Sequence, residues 1–190
     1  MSNIRYSIQF FSPWHCGSGL SAGADVDALV IKDKNKLPYI PGKTLKGLVR
    51  EAVEDYSALS NTVSKEALNK AFGLPADADK TDDNISGLAF FTNATLDDQE
   101  AAAIVSNHAQ AFLLHHVSST AIGDDGIADD HSLRSIETVV PCTLHAAIYD
   151  VPDDVAAVIE QSLGMIHHIG LNRSRGLGRC DFHIEKGGER

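Results

Sequence analysis

The run His168-Ile-Gly-Leu-Asn-Arg-Ser-Arg-Gly-Leu-Gly-Arg179 constrains the fold more than any other part of this chain. Glycines at 170, 176 and 178 let the backbone take positive φ and come close to whatever lies against it. The run therefore reads as a tight connection between a helix and a strand. Its flanks agree: Val155, Val158, Ile159, Leu163 and Ile166 recur at helical spacing before it. A last strand through Phe182 and Ile184 follows. The same run is purely cationic, with no acid from Gln161 to Cys180, in a chain of formal net charge −10. Unpaired N–H groups of a glycine loop form an anion cradle, and arginine matches phosphate with a planar fork. Arg173, Arg175 and Arg179 are thus either phosphate ligands or simply solvated, and the run alone does not choose.

A second cationic segment, Leu37-Pro-Tyr-Ile-Pro-Gly-Lys-Thr-Leu-Lys-Gly-Leu-Val-Arg50, pairs with it. Pro41-Gly42 ends an extended run and opens a helix, because proline is tolerated in a first turn. Leu45, Leu48, Val49, Ala52, Val53 and Tyr56 form the stripe that this helix buries. Lys43, Lys46 and Arg50 share another face near the positive end of the helix dipole, good geometry for phosphate. Acids gather elsewhere, in Asp77 to Asp83, Asp97 to Glu100, Asp124 to Asp130 and Asp150 to Asp154. An acidic outer surface around a basic groove fits that distribution, although the overall balance runs against tight RNA binding by the isolated chain.

Hydrophobic periodicity supplies the remaining elements. Tyr6 to Ser12 reads as a strand, and Val26 to Asp33 with Leu37 to Ile40 as a hairpin around Asp33-Lys-Asn-Lys36. Helices are expected from about Lys43 to Ala58, Lys65 to Phe72 and Asp97 to His108, the last opening on acids as the dipole prefers. Leu88 to Ala94, Phe112 to Ser119 and Ile136 to Tyr149 read as strands. Without insertions this is βαββαβ, an α+β, ferredoxin-like (RRM-like) core in one domain over residues 1–190. An insertion from about 119 to 134, rich in glycine and aspartate, reads as a long mobile loop. His115-His116 on a strand face opposite ways and do not suit a metal.

Four segments together resemble the RAMP superfamily of CRISPR effector proteins, above all the repeating backbone subunits of type III complexes. They are His15-Cys-Gly-Ser-Gly19, Leu37 to Gly47, Phe72-Gly73 with Gly87 to Ala94, and the loop Gly170 to Gly178. The resemblance runs essentially from end to end, and the Pro-Gly-Lys and Gly-Arg segments are specific as a pair. It implies a subunit that binds guide RNA and cleaves complementary target RNA. Its implied partners are other type III effector subunits and copies of itself in a helical backbone. RNA contacts are then expected at His15, Lys43, Lys46, Arg50, Arg134, Arg173, Arg175 and Arg179.

In the resembled family the 119–134 position holds a thumb that pushes between guide and target bases, and Ile122, Ile127 and Leu133 would supply its apolar wedge. An aspartate before the Leu-Pro-Tyr run would serve metal-dependent cleavage. Asp27 best occupies that slot, with Asp25 as the fallback. On extended backbone both carboxylates point to one side, where they could share a divalent ion, expected to be magnesium, with phosphate oxygens. His15 could contact RNA or act as a general acid; more often such a histidine is bonded within the fold.

Two other readings stay open: a non-catalytic scaffold or capping subunit of the same complex, and a guide-processing endonuclease. The processing enzymes usually carry two ferredoxin-like domains, which one short domain does not match. Composition is compatible with all three. At 43% hydrophobic, 190 residues can bury a core without disulfides or metal. Three widely spaced cysteines point to a reducing cytoplasm. Neither a signal peptide nor a run of ~20 apolar residues is evident, so no membrane partner is expected.

Overall fold

The alternation in Ser2–Phe10 (β1) sends Ile4, Tyr6, Ile8 and Phe10 into the core and leaves Arg5 and Gln9 outside. The structure, a computed structural model, describes residues 1–23, 26–60, 63–74, 86–124 and 126–185. After β1 come helices Gly42–Ser60 (α1) and Lys65–Phe72 (α2), the short strand Phe90–Phe91 (β2) and helix Asp98–Ser106 (α3). Strands Leu114–Ser119 (β3), Arg134–Val139 (β4) and Thr143–Val151 (β5) follow, then helix Asp153–Leu163 (α4) and strand Cys180–Ile184 (β6).

Four strands form an antiparallel sheet in the order β2-β5-β1-β6. The stripe Leu45, Val49, Ala52 and Val53 of α1 and the stripe Val155, Val158, Ile159 and Leu163 of α4 are buried. These helices pack against each other and against strands of this sheet. Strand β5 changes face near its end, where Asp150 takes φ 56° and the register against β1 shifts, so that both Ile148 and Val151 are buried. Arg5, Gln9, His145 and His183 are exposed along the sheet. The chain is thus mixed α+β with antiparallel sheets.

Strands β3 and β4 make a separate two-stranded ribbon, paired from Leu114↔Val139 to Ser119↔Arg134. Val139 anchors its root by exchanging backbone bonds with Trp14, at 2.8 and 3.0 Å. Outward from there β3 is exposed, while β4 is buried only from Glu137 to Val139. The 119–134 insertion is the end of this ribbon rather than a structureless loop. Ile122 bridges Ala128, and Gly123 N donates to Ile127 O at 2.8 Å.

Three strand expectations need correcting. Ile136 to Tyr149 is not one strand: it breaks between Val139 and Thr143 into β4 and β5, which lie in different sheets. Of Leu88 to Ala94 only Phe90–Phe91 is strand, because Ala94 and Thr95 leave for single bridges to Ile40 and His145. The 26–40 hairpin closes through Lys32↔Pro38, but its first arm turns to β4, where Ala28 bridges Ile136 in parallel.

Candidate nucleic-acid interface

The cationic loop owes its shape to backbone approach. Gly170 has φ 94° and Gly178 has φ 71°; a Cβ on the first would overlap the His15 carbonyl oxygen, and on the second that of Ile169. Leu171 N donates to His15 O at 3.1 Å and Gly178 N to Pro13 O at 2.8 Å, so the loop is strapped to the 13–15 segment. Asn172 and Gly176, both at positive φ, frame a short 3₁₀ turn over Arg173–Arg175. Arg173, Arg175 and Arg179 are all exposed. Backbone holds the loop and leaves its guanidinium groups free to meet a ligand.

His15 lies under this loop rather than on its surface. Its ring is 3% exposed, with Nδ1 2.6 Å from the Glu137 carbonyl oxygen. Of the two readings of His15, the bonded-within-the-fold one describes this geometry; direct RNA contact does not fit a ring buried to this degree. Glu137 itself is the residue that sequence reasoning missed. It is 5% exposed, accepts from Val30 N at 2.9 Å and holds the Lys32 ammonium at 2.8 Å. A buried carboxylate is tolerated only when paired and hydrogen-bonded, and Glu137 is both. It thereby pins the 26–32 arm against β4.

That pinning puts Asp27 at the root of the ribbon tip. Asp27 N donates to Ser135 O at 2.8 Å, and Asp27 Oδ2 accepts from Ser135 N at 2.7 Å. The carboxylate is exposed, and the strand residue it is bonded to, Ser135, follows Arg134, itself exposed at the start of β4. Asp25 lies outside the described residues. Among the described residues no group of three His, Cys, Asp or Glu side chains could hold a metal ion alone.

The basic face of α1 is divided among separate hollows. Lys43 and Lys46 line one with the 86–91 segment. Arg50 lines another; its Nε reaches Glu54 at 2.7 Å and it donates to Gly73 O at 3.1 Å. Arg173 borders a third, with Glu51 and Asp55 of α1. Burial pushes the Cys142 thiol up to about 11 and the Cys180 thiol up to about 12, so neither is a thiolate near neutral pH. No described helix is long and apolar enough to cross a membrane.

A family model described as the RAMP superfamily matches residues 7–181. The chain belongs to the RAMP superfamily. Among solved structures, it is similar to a chain of the cryo-EM structure of the Type III-B Cmr-beta bound to cognate target RNA. That match has a TM-score of 0.72 and 11% identity, and covers 97% of each chain. A chain of the Type III-B Cmr-beta in the apo state matches at TM-score 0.70, again with 11% identity over 97% of each chain. At this identity the likeness is one of fold. No curated protein matches the chain.

Proposed function

We propose that this RAMP-superfamily chain is a guide-RNA-binding backbone subunit of a type III CRISPR ribonucleoprotein, acting in the cytoplasm, and that it binds and cleaves complementary target RNA. The sheet order β2-β5-β1-β6 with α1 and α4 packed on it suits a ferredoxin-like core, and the ribbon suits an inserted thumb. The observation that carries the reading is the position of Asp27, an exposed carboxylate fastened to Ser135 at the outer end of that ribbon's paired strands, where its tip begins. RNA held by the cations of the glycine-rich loop and of α1, and parted by the ribbon tip, would pass this carboxylate at the base of the tip.

Magnesium binds through one or two carboxylates and substrate phosphates, and Asp27 fits one such place, with Asp25 as a candidate second. Bound there, the ion would stabilise charge developing at the scissile phosphate. Asp27 supplies a fixed ligand oxygen, Ser135 N–H orients the carboxylate, and Arg134, one residue before Ser135, would hold a phosphate. Other effector subunits and further copies of the chain, stacked head to tail, complete the assembly; such an arrangement need not close.

The test is target cleavage by the reconstituted complex. Asp27→Ala is expected to leave guide and target binding nearly intact and to lower cleavage by orders of magnitude, with EDTA reproducing the defect. Asp25→Ala should cost less. Full cutting by the Asp25/Asp27 double variant would overturn the nuclease assignment. The second reading, a non-cleaving scaffold or capping subunit, would then stand.

A further inference from the structure

The edge of the main sheet holds an open hollow of about 280 Å³ between the start of α1 and the segment 86–91. Lys43, Lys46 and Phe90 are among the residues that line it. Phe90 is 61% exposed although it belongs to a strand. An isolated exposed phenylalanine needs no explanation, but three features set this one apart.

The first is its place. β2 is the outermost strand of the sheet, and Tyr149, directly opposite Phe90 on β5, stands on the same face. The second is rigidity. Leu88 N and Ala89 N each donate at 3.0 Å to carbonyls at the end of α2, those of Lys70 and Ala71. Gly42 N donates to Asn93 Oδ1 at 2.9 Å, and a Cβ on Gly42 would overlap the Phe91 carbonyl oxygen. The ring is thus carried on backbone fixed from both sides.

The third is charge. Three other hollows on the described surface contain carboxylates: Asp97, Asp98 and Glu185 in one, Glu51 and Asp55 in the next, Glu54 in the last. Among the described residues, the hollow of Lys43 and Lys46 is lined by no acid. On a chain of net charge −10, an acid-free pair of lysines beside a fixed aromatic ring selects an anionic ligand with a flat face.

We propose that Phe90 is a stacking platform for an unpaired base of bound RNA, with Lys43 and Lys46 holding the adjacent phosphates. The ring offers its π-face to any base, and the ammonium groups offer point charges to the backbone. The inference rests on the RNA-binding reading above and adds a base contact outside the glycine-rich loop. It makes this part of the surface a single-strand site rather than a duplex site, because only an unstacked base can reach Phe90.

The test titrates the full chain into a short oligouridine carrying one 2-aminopurine, reading anisotropy and 2-aminopurine emission at several salt concentrations. Phe90→Ala is expected to weaken binding roughly tenfold, the scale of one lost base–aromatic stack. It should also remove the emission quenching and leave the slope of log K against log salt unchanged. Phe90→Tyr should restore affinity and quenching. Combined Lys43→Ala and Lys46→Ala should lower the slope by about 1.4, at ~0.7 per phosphate contact on a single strand. A wild-type chain that does not bind the oligonucleotide overturns the RNA reading itself. Tight binding that ignores Phe90→Ala overturns only the platform. So does a Phe90→Ala variant that changes association between copies of the chain and nothing else.

Discussion

The glycine-rich loop and the tip of the β3–β4 ribbon are both exposed and irregular, yet they are anchored in opposite ways. The loop is fastened to other segments, by Leu171 N to His15 O and Gly178 N to Pro13 O. The hydrogen bonds described for the tip run within it, as in Thr120 Oγ1 to Ser132 Oγ at 2.6 Å. A Cβ on Gly170 or Gly178 would overlap backbone, whereas a Cβ on Gly126 meets nothing. Cations on the loop are therefore presented at fixed positions. The tip can be displaced by whatever presses on it without disturbing the core.

Substitution of the glycines breaks this contrast most directly. Gly170→Ala adds a Cβ at φ 94° against a carbonyl that cannot move, so strain and overlap combine. A loss of about 4 kcal/mol is expected, or roughly 10 °C in Tm for a chain of this size. Gly126→Ala, at φ 78° in open space, carries the conformational cost alone, about 1 kcal/mol. Thermal melts of the two variants side by side decide the matter. Equal losses would mean that the loop is no better anchored than the tip.

Glu137 marks where the ribbon stops belonging to the core. Glu137→Ala leaves the Lys32 ammonium without its partner and the buried Val30 N–H without an acceptor. About 3 kcal/mol of stability should go with it. Glu137→Gln keeps an acceptor for Val30 and loses only the ion pair, so it should cost less. Hydrogen exchange at Val30, with the denaturation midpoint, reads both effects. An unchanged Val30 amide in Glu137→Ala would show that the 26–32 arm is held by other contacts, and that Asp27 does not depend on this clamp for its place.

The helices were legible because their apolar stripes are local. Leu45, Val49, Ala52 and Val53 predict α1 from spacing alone, and α2 keeps its expected bounds, Lys65–Phe72, with the Ser64 hydroxyl accepting from Ala67 N as its cap. The helical face shared by Lys43, Lys46 and Arg50 was also correct as a wheel. A wheel does not say what a face meets, and Arg50 meets Glu54 and the end of α2. Nothing local distinguishes Glu137 from a solvated strand glutamate, since its side-chain partners Val30 and Lys32 are more than a hundred residues away. His15 illustrates the same limit. Its turn was recognisable, but the partner of its buried ring is the Glu137 carbonyl, 122 residues later. The region 86–95 misled for a different reason: its β-favouring residues are real, but only two of them find a ladder partner.

The smallest stability effect is expected at the tip itself, where Ile122, Ile127 and Leu133 are 68%, 67% and 70% exposed. Replacing all three by serine removes apolar surface already in water, so each change should stay within ~0.5 kcal/mol and the melt should barely move. Function should respond where stability does not. If the tip parts guide from target, the assembled complex should show bases unpaired at regular intervals to chemical probing, and the triple variant should lose that pattern while keeping RNA affinity set by phosphate contacts. Cleavage would fall with it, because Asp27 at the base of the tip acts on backbone that the wedge has splayed. A fall of several degrees in Tm would mean that the tip packs on the core after all, and its difference from the glycine-rich loop would disappear. An unchanged probing pattern with unchanged cleavage would leave the displaceable tip as a described feature and remove its role as the wedge.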